Sequence, residues 1–310
     1  MMRNAVTQKM LADELGISPA AVSFCLNGKP GVSDGLRQKV LRLAEKYHSG
    51  SPRLPIAVVF AEQIGPYTRN LINEIVSQCG ARKLPVIFLP ADNEYLIQDR
   101  FFRGVISLDY TDFLGKILPK KEPVPIICIN CSNYPLENVY SVTSADKKMF
   151  TELFSRLKKK GHTRIGYCYC GIPINGTFPH YRQQVMREAV TGFPNLTVLE
   201  RAITAKHSFL ENIARLKKDG VTALIVSGEG YEFRMRQAIQ LLGIRLPEEM
   251  ALISWENPGE SEFYDPPQTT VEQNIPLIVK TALDNLEARI AGKAIRNVEV
   301  DYILHDRESW

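Results

Sequence analysis

Residues 6–28 constrain the fold more than any other stretch, because two short helical patterns meet there at a tight corner. Gly16 lies at the corner, where a residue without Cβ adopts a positive φ at no steric cost. Ser18 can cap the second helix, and Pro19 suits its first turn, where no amide donor is needed. These features predict a helix-turn-helix, the motif whose second helix enters the major groove of DNA.

The spacing of apolar residues predicts how these helices pack. Leu11 and Leu15 lie four positions apart and therefore share one face of the first helix. Val22 and Leu26 have the same spacing and are the predicted buried seam of the second helix. A third amphipathic helix follows and should pack beneath the first two. We therefore expect residues 1–47 to form a small all-α domain, called the headpiece below.

The net positive charge of the chain lies in and just behind the headpiece. Residues 1–55 contain eight Lys or Arg and four Asp or Glu, whereas the chain as a whole contains 38 and 34. The remaining residues are therefore balanced, with 30 side chains of each sign. This distribution favours a polyanionic partner at the headpiece and a small-molecule or protein partner elsewhere. The excess is mild, and chance is the alternative explanation.

Residues 48–55 contain Gly, Ser and Pro without apolar periodicity and are predicted to be a linker. From Ile56 onward, short apolar runs alternate with longer amphipathic stretches. This pattern predicts repeated βαβ units with parallel strands that are buried on both faces. The predicted strands are 56–61, 85–89, 104–108, 125–130, 164–170, 223–227 and 250–255, with a strand-like segment at 296–304. The predicted helices are 69–83, 146–160, 180–191, 208–219, 232–242 and 276–291.

The chain has no apolar run approaching the ~20 residues that a membrane span requires, and its first residues lack the apolar core of a signal peptide. We therefore expect a cytoplasmic protein with no membrane partner. Six cysteines show no disulfide framework. Cys128, Cys131, Cys168 and Cys170 could be read as a metal or redox cluster, but their position in or beside apolar strands favours buried thiols. We predict no metal and no cofactor.

Four ordered motifs resemble those of the lac repressor / galactose repressor family of bacterial transcription regulators. The first is the headpiece motif VTQKMLADELGISPAAVSFCLNGKPGVSDGLRQKVL. The others are KKKGHTRIGY at 158–167, LGIRLPEEMALISWEN at 242–257 and PPQTTVEQN at 266–274. The resemblance covers nearly the whole chain. It implies a periplasmic-binding-protein-like core, a homodimer, and binding to a DNA operator that a small molecule controls.

The expected fold class is therefore α/β: a two-lobed periplasmic-binding-protein-like core with doubly wound parallel sheets, preceded by the all-α headpiece. The effector-binding core should span residues 56–310. Its first lobe is expected to comprise about 56–143 and 275–295, and its second about 144–274 and 296–310. The predicted function is that of an effector-responsive transcription regulator, a repressor that binds an operator in double-stranded DNA as a homodimer.

The resemblance also indicates which headpiece residues would contact DNA. Pro19, Ala20 and Phe24 occupy positions that usually carry polar, base-reading side chains in the family. Ala and Phe offer only apolar contact, for example with a thymine methyl. The remaining predicted contacts, to phosphates or base edges, are Thr7, Ser18, Ser23, Asn27, Ser33 and Arg37, with Lys39 nearby. We therefore expect modest, salt-sensitive affinity for DNA.

The segment behind the headpiece departs from the family. Family members join headpiece and core through a longer segment with a hinge helix, which kinks the operator through its minor groove. Here eight residues lie between Tyr47 and Ile56, and they reach at most ~27 Å when extended. This length leaves no room for a hinge helix with its flanks. The alternative function is thus a ligand-binding module whose specific DNA binding is altered or lost.

The family's effector sits between the lobes, held by an arginine, an acidic residue and an aromatic residue. By motif, Tyr67 falls in the first loop of the first lobe, and Arg182 in the first helix of the second. Glu256 follows Trp255 and replaces an aspartate, while Glu229 replaces a polar residue. A guanidinium facing carboxylates suits a polyhydroxylated or zwitterionic ligand, and a sugar is expected. No nucleophile–base pair supports an enzyme.

Overall fold

The computed structural model describes residues 8–26, 29, 31–49, 54–60, 64–90, 102–108, 124–130, 139–170, 178–204, 208–228, 230–257 and 259–310. The chain divides into two compact units. The first contains Met1–Ile64, Ile72–Val142 and Val279–Asn297, and the second contains Gly65–Leu71, Thr143–Ile278 and Val298–Trp310.

The described residues form helices and strands that alternate along the core. The helices are α1 (Gln8–Leu15), α2 (Pro19–Leu26), α3 (Asp34–Ser49), α4 (Pro66–Ala81), α5 (Asp146–Lys159), α6 (Phe178–Val190), α7 (Phe209–Lys218), α8 (Glu232–Leu241) and α9 (Ile275–Ile290). The strands are β1 (Ile56–Phe60), β2 (Val86–Pro90), β3 (Gly104–Leu108), β4 (Ile126–Ile129), β5 (Val139–Ser144), β6 (Arg164–Cys170), β7 (Thr197–Ile203), β8 (Ala223–Ser227), β9 (Ala251–Trp255), β10 (Thr269–Glu272), β11 (Val298–Val300) and β12 (Ile303–His305).

The three headpiece helices share one apolar core. Its buried residues are Leu11, Ala12, Val22, Cys25, Val40 and Ala44. The predicted seam of α2 was wrong in one position, because Leu26 is exposed and Cys25 is buried beside Val22. A two-turn helix buries only one narrow stripe, and the step of three from Val22 to Cys25 follows that stripe. The helix α3 runs to Ser49, two residues beyond the predicted end of the headpiece.

Ser18, Ser33 and Gly16 have the local roles that the sequence predicted for them at the ends of these helices. The Ser18 hydroxyl accepts a hydrogen bond from the Ala21 amide at 3.1 Å. The Ser33 hydroxyl accepts one from the Leu36 amide at 3.2 Å. Gly16 has a φ of +65°, as the corner between α1 and α2 requires. Each cap satisfies an amide that the helix itself leaves without a partner.

Two six-stranded sheets form the rest of the fold. The first has the order β11-β5-β4-β3-β1-β2, and the second has the order β12-β10-β9-β8-β6-β7. Pairings from β1 to β5 and from β6 to β10 are parallel, and β12 runs antiparallel to β10. The central strands β1, β3, β8 and β9 are buried at every residue. The predicted α/β class with two parallel sheets is confirmed.

The sheets differ from the predictions in two ways: the strands β5, β7 and β10 were not predicted, and the segment 296–304 is divided between the two sheets. The strand β7 was not predicted, because it is an edge strand in which only Ile203 is buried, so its sequence lacks a continuous apolar run. The strand-like segment 296–304 is in fact two strands: β11 joins the first sheet and β12 joins the second. Residues 301–302 separate them, and periodicity alone does not reveal that a chain changes sheets there.

Among the described residues, no helix is both long and apolar enough to cross a membrane. Four of the cysteines, Cys25, Cys79, Cys128 and Cys168, are buried. Cys131 and the side chain of Cys170 lie outside the described residues.

Candidate functional site

The outer face of α2 carries the residues predicted to meet DNA. Pro19, Ala20 and Phe24 are all exposed, whereas Ser23 is half-buried. This exposure follows from the packing of Val22 and Cys25 into the headpiece core, which turns the opposite side of the helix outward. The exposed side is mainly apolar, and Ser18 at its start is engaged as a helix cap through one lone pair of its hydroxyl.

The ring of Phe24 is held at the edge of a short loop. The ammonium Nζ of Lys29 lies 5.8 Å from the ring centroid. Arg37 on α3 donates from Nη2 to the carbonyl oxygen of Lys29 at 2.6 Å. The guanidinium that was predicted to contact DNA therefore fixes the backbone that carries Lys29. Ser33, at the start of α3, is exposed.

Three predicted site residues, Thr7, Asn27 and Glu229, lie outside the described residues. Tyr67 is the second residue of α4 and is half-buried. It lies in a helix rather than in the loop expected from the sequence. The contribution of these four residues to a site stays a prediction.

A second group of polar residues gathers at the carboxyl edge of the second sheet. Ser227 ends β8, Trp255 ends β9, and Asp146 begins α5. Arg182 joins them from α6, which is the second helix of this unit rather than the first. Ligands of open α/β sheets bind at this edge of the strands, so these residues are a candidate binding site.

The guanidinium of Arg182 makes four contacts in this group. Its Nε donates to Oδ1 of Asp146 at 3.0 Å, and its Nη1 donates to the Ser227 hydroxyl at 3.2 Å. Its Nη2 donates to the Tyr302 hydroxyl at 3.4 Å. Its central carbon lies 5.3 Å from the ring centroid of Trp255. The site is therefore built around one arginine whose orientation is fixed from several sides.

The ion pair with Asp146 is almost fully shielded from solvent. The side chain of Asp146 is 10% exposed and that of Arg182 is 14% exposed. Tyr302 also donates to Oδ1 of Asp146, at 2.7 Å. Burial lowers the pKa of Arg182, but Tyr302 and Asp146 outweigh that effect and hold the pKa well above its ordinary value. These partners therefore stabilise the charged form of Arg182.

Glu256 follows Trp255 and has unusual surroundings. Its φ of +70° is in the left-handed region, which a residue with a Cβ rarely adopts. Burial raises the pKa of its carboxyl group, although Gln273 and Arg182 oppose that shift. Its Oε1 accepts a hydrogen bond from Gln273 at 2.8 Å, and Gln273 accepts one from Ser144 at 2.9 Å. Backbone strain of this kind is concentrated at functional sites.

The structure thus brings together Arg182, Trp255 and Glu256, and it adds Asp146 and Tyr302, which were not predicted. Asp146 could have been found by its position, because it lies two residues beyond the end of β5 and starts a helix at the carboxyl end of that strand. No sequence signal indicates Tyr302, since it lies between two short strands far along the chain.

The chemistry of this group suits binding rather than reaction. Its members supply fixed hydrogen-bond donors, two carboxylates and an indole face. A pyranose or another polyhydroxylated molecule is recognised by such a combination, with hydroxyls on the polar groups and apolar faces on the aromatic ring.

A family model described as a periplasmic binding protein-like domain matches residues 154–310. The chain is 20% identical to the HTH-type transcriptional repressor PurR of Vibrio vulnificus (strain CMCP6), over 93% of this chain and 92% of that protein. It is similar to a transcriptional regulator CelR–cellobiose complex, with a TM-score of 0.66, 21% identity, and coverage of 99% of this chain and 100% of that one. It is also similar to the lac repressor dimer bound to operator and the anti-inducer ONPF, with a TM-score of 0.70, 19% identity and coverage of 99% of each chain.

Proposed function

The chain belongs to the family of periplasmic binding protein-like domains, and from that premise we propose that it is a ligand-responsive, DNA-binding transcription regulator. The observation that carries this proposal is the combination of two features in one chain. The headpiece presents an exposed face of α2, and the second sheet presents a buried arginine site at its carboxyl edge. One relative is an HTH-type transcriptional repressor, and one similar structure is a lac repressor dimer bound to both an operator and an anti-inducer.

The headpiece supports the DNA-binding half of the proposal. It is a helix-turn-helix with a compact core, so the outer face of α2 is presented on a rigid support. The excess of basic residues between positions 1 and 55 would neutralise phosphates, which gives affinity that falls steeply with salt. The apolar side chains of α2 add few hydrogen bonds to base edges, so affinity should depend strongly on those phosphate contacts.

We expect the full chain to bind duplex DNA and a shorter chain beginning at Ile56 not to bind it, because the proposed DNA contacts lie in the headpiece. Fluorescence anisotropy with a labelled duplex measures both proteins between 50 and 200 mM salt. If the full chain neutralises six phosphates or more, its affinity falls by about 1,000-fold over that interval. Equal binding by the two proteins, or binding by neither, would rule out a regulator that binds DNA through its headpiece.

The ligand that we propose is a sugar or a similar polyhydroxylated molecule. Arg182, held by Asp146 and stacked on Trp255, offers an aromatic face and donors in fixed positions. Glu256 adds an acceptor beside them. The CelR structure contains cellobiose, which is consistent with a carbohydrate at a site on this fold. A thermal-shift screen of sugars identifies the ligand, because binding to the native state raises the midpoint of unfolding.

We also propose that the regulator is a homodimer that associates through an apolar surface of the second unit. This apolar surface comprises Phe233 and Leu241 on α8 and Phe263 in the turn Gly259–Phe263, which are 65%, 70% and 81% exposed. Arg236 on α8 holds the two segments together by donating to the carbonyl oxygens of Asp265 and Pro266 at 2.6 and 3.1 Å. Exposed apolar side chains of this size are typical of an interaction site.

A second candidate function is a ligand-binding module in which the headpiece no longer recognises a specific sequence. Two observations favour it: the apolar character of Pro19, Ala20 and Phe24, and the six residues between the end of α3 at Ser49 and Ile56. Under this alternative the arginine site would bind its ligand while the full chain would bind all duplexes with the same affinity.

A further inference from the structure

The arginine site brings two carboxylates together with one guanidinium. The charge of Arg182 is already balanced by Asp146, whose Oδ1 accepts a hydrogen bond from Nε at 3.0 Å. Glu256 adds the second carboxylate directly after β9. It takes no part in the ion pair of Arg182 with Asp146. The described residues of the site therefore leave one acidic side chain without a balancing cation.

The hydrogen-bond donor that faces Glu256 is neutral and fixed in place. Nε2 of Gln273 donates to Oε1 of Glu256 at 2.8 Å. The oxygen of the same amide accepts a hydrogen bond from the Ser144 hydroxyl at 2.9 Å, so the amide nitrogen is held towards the carboxylate. An amide supplies a hydrogen bond but no charge. The carboxylate of Glu256 is thus satisfied as an acceptor and unbalanced as a charge.

Neighbouring carboxylates increase this imbalance. Burial is the largest effect that raises the pKa of Glu256, and the carboxylates of Glu272 and Asp146 raise it further. The carboxylate of Glu272 has partners of its own in His305 and Asn257. Glu256 is therefore the carboxylate whose charge a ligand at this site would have to balance.

A ligand that covers Glu256 removes water from its carboxylate. A neutral ligand would leave an ionised carboxylate buried without a balancing charge, which is costly, or would force the carboxylate to take up a proton. A ligand with a protonated amine would supply both the missing charge and a strong hydrogen-bond donor. The charge of the site thus favours a cationic ligand over a neutral ligand of the same shape.

We infer that the ligand is a polyhydroxylated molecule with a protonated amino group, such as an amino sugar, and that its ammonium group binds the carboxylate of Glu256. Arg182 and Asp146 stay paired with each other when this ligand is bound. This inference rests on the proposed function, and it narrows the proposed class of sugars to those that carry a positive charge.

The test compares molecules that differ only at one substituent. Thermal shift and isothermal titration calorimetry on the full chain compare glucosamine, galactosamine and mannosamine with their parent hexoses and with their N-acetyl derivatives. Acetylation keeps the nitrogen and removes its charge, and the parent hexose has a hydroxyl in its place. We expect an amine of this set to raise the midpoint of unfolding and to bind about tenfold or more tightly than both of its neutral counterparts.

Two variants assign that preference to a side chain. Glu256→Gln keeps the shape of the side chain and removes its charge, so the amine should lose its advantage over the parent hexose. Glu299→Gln is the matched control, because Glu299 is exposed on β11 and lies outside the site. It should keep the full preference for the amine. Circular dichroism verifies that both variants fold.

Proton exchange provides a readout that does not depend on the variants. Calorimetry in two mildly acidic buffers of different ionisation enthalpy measures how many protons the protein takes up or releases when the amine binds. A cation beside Glu256 favours the ionised carboxylate, so binding should release protons or exchange none. Uptake of protons would show that the carboxylate is neutralised by protonation, which contradicts the inference.

The outcomes separate the inference from the function on which it rests. Equal or tighter binding of a neutral counterpart, or a preference for the amine that persists in Glu256→Gln, overturns the inference and leaves the proposed regulator intact. Binding of none of these compounds overturns the inference and the proposed sugar ligand together. DNA binding is measured separately, with a duplex selected from a random library. Failure to select any duplex overturns the regulator, whereas the preference for the amine would still stand.

Discussion

Replacement of Asp146 by alanine is expected to lower the free energy of unfolding of the second unit by about 3 to 5 kcal/mol, because it leaves the Arg182 charge buried without its partner. Tyr302 would lose its acceptor as well. Both tryptophans of the chain, Trp255 and Trp310, lie in this unit, so tryptophan fluorescence during urea unfolding reports on it directly.

The matched control is the double variant Asp146→Ala/Arg182→Met, which removes both charges. It should regain much of the lost stability, since no buried charge then lacks a partner. Asp146→Asn keeps an acceptor for Nε of Arg182 and should fall between the native protein and Asp146→Ala. Equal destabilisation by Asp146→Ala and by the double variant would show that the unpaired charge of Arg182 is not the cause of the lost stability.

Replacement of Leu241 and Phe263 by lysine is expected to convert a dimer into monomers and to weaken DNA binding by about 100-fold or more. Two charges placed in the apolar surface must lose their hydration when the protomers associate, which disfavours association. A monomer also holds only one headpiece on DNA, so the second headpiece no longer binds at high effective concentration.

Ile303→Lys is the control for this variant, because it places the same charge on an exposed apolar position of β12, outside the apolar surface. Sedimentation equilibrium measures the mass of each protein, and anisotropy measures its DNA affinity. A dimer that survives in Leu241→Lys/Phe263→Lys would place the interface elsewhere.

Much of the architecture could be predicted because its signals are local. The buried runs of β1, β3 and β8 are nearly continuous apolar segments, as expected of strands covered on both faces. The corner of the headpiece follows from Gly16 and Ser18, whose roles depend on a few neighbouring residues. The family resemblance drawn from the motifs is confirmed by the matching family model and by the regulators among its relatives.

The arginine site could be predicted only in part, because its contacts are not local. Arg182 was identified by its motif, but its partners Asp146 and Tyr302 lie 36 and 120 positions away in the chain. The sequence does not show which of several charged residues will meet when two helices and two strands converge at one sheet edge. The strand β7 was not predicted for the same reason, because it forms by pairing with β6 and has no apolar run of its own.

The central claim is that one chain couples a ligand at the arginine site to DNA at the headpiece. The most direct test is to measure the affinity of the full chain for its selected duplex with and without the ligand identified by thermal shift, and the affinity for the ligand with and without the duplex. We expect both ratios to be equal and to amount to about fivefold or more. DNA affinity that is unchanged at saturating ligand would contradict the account.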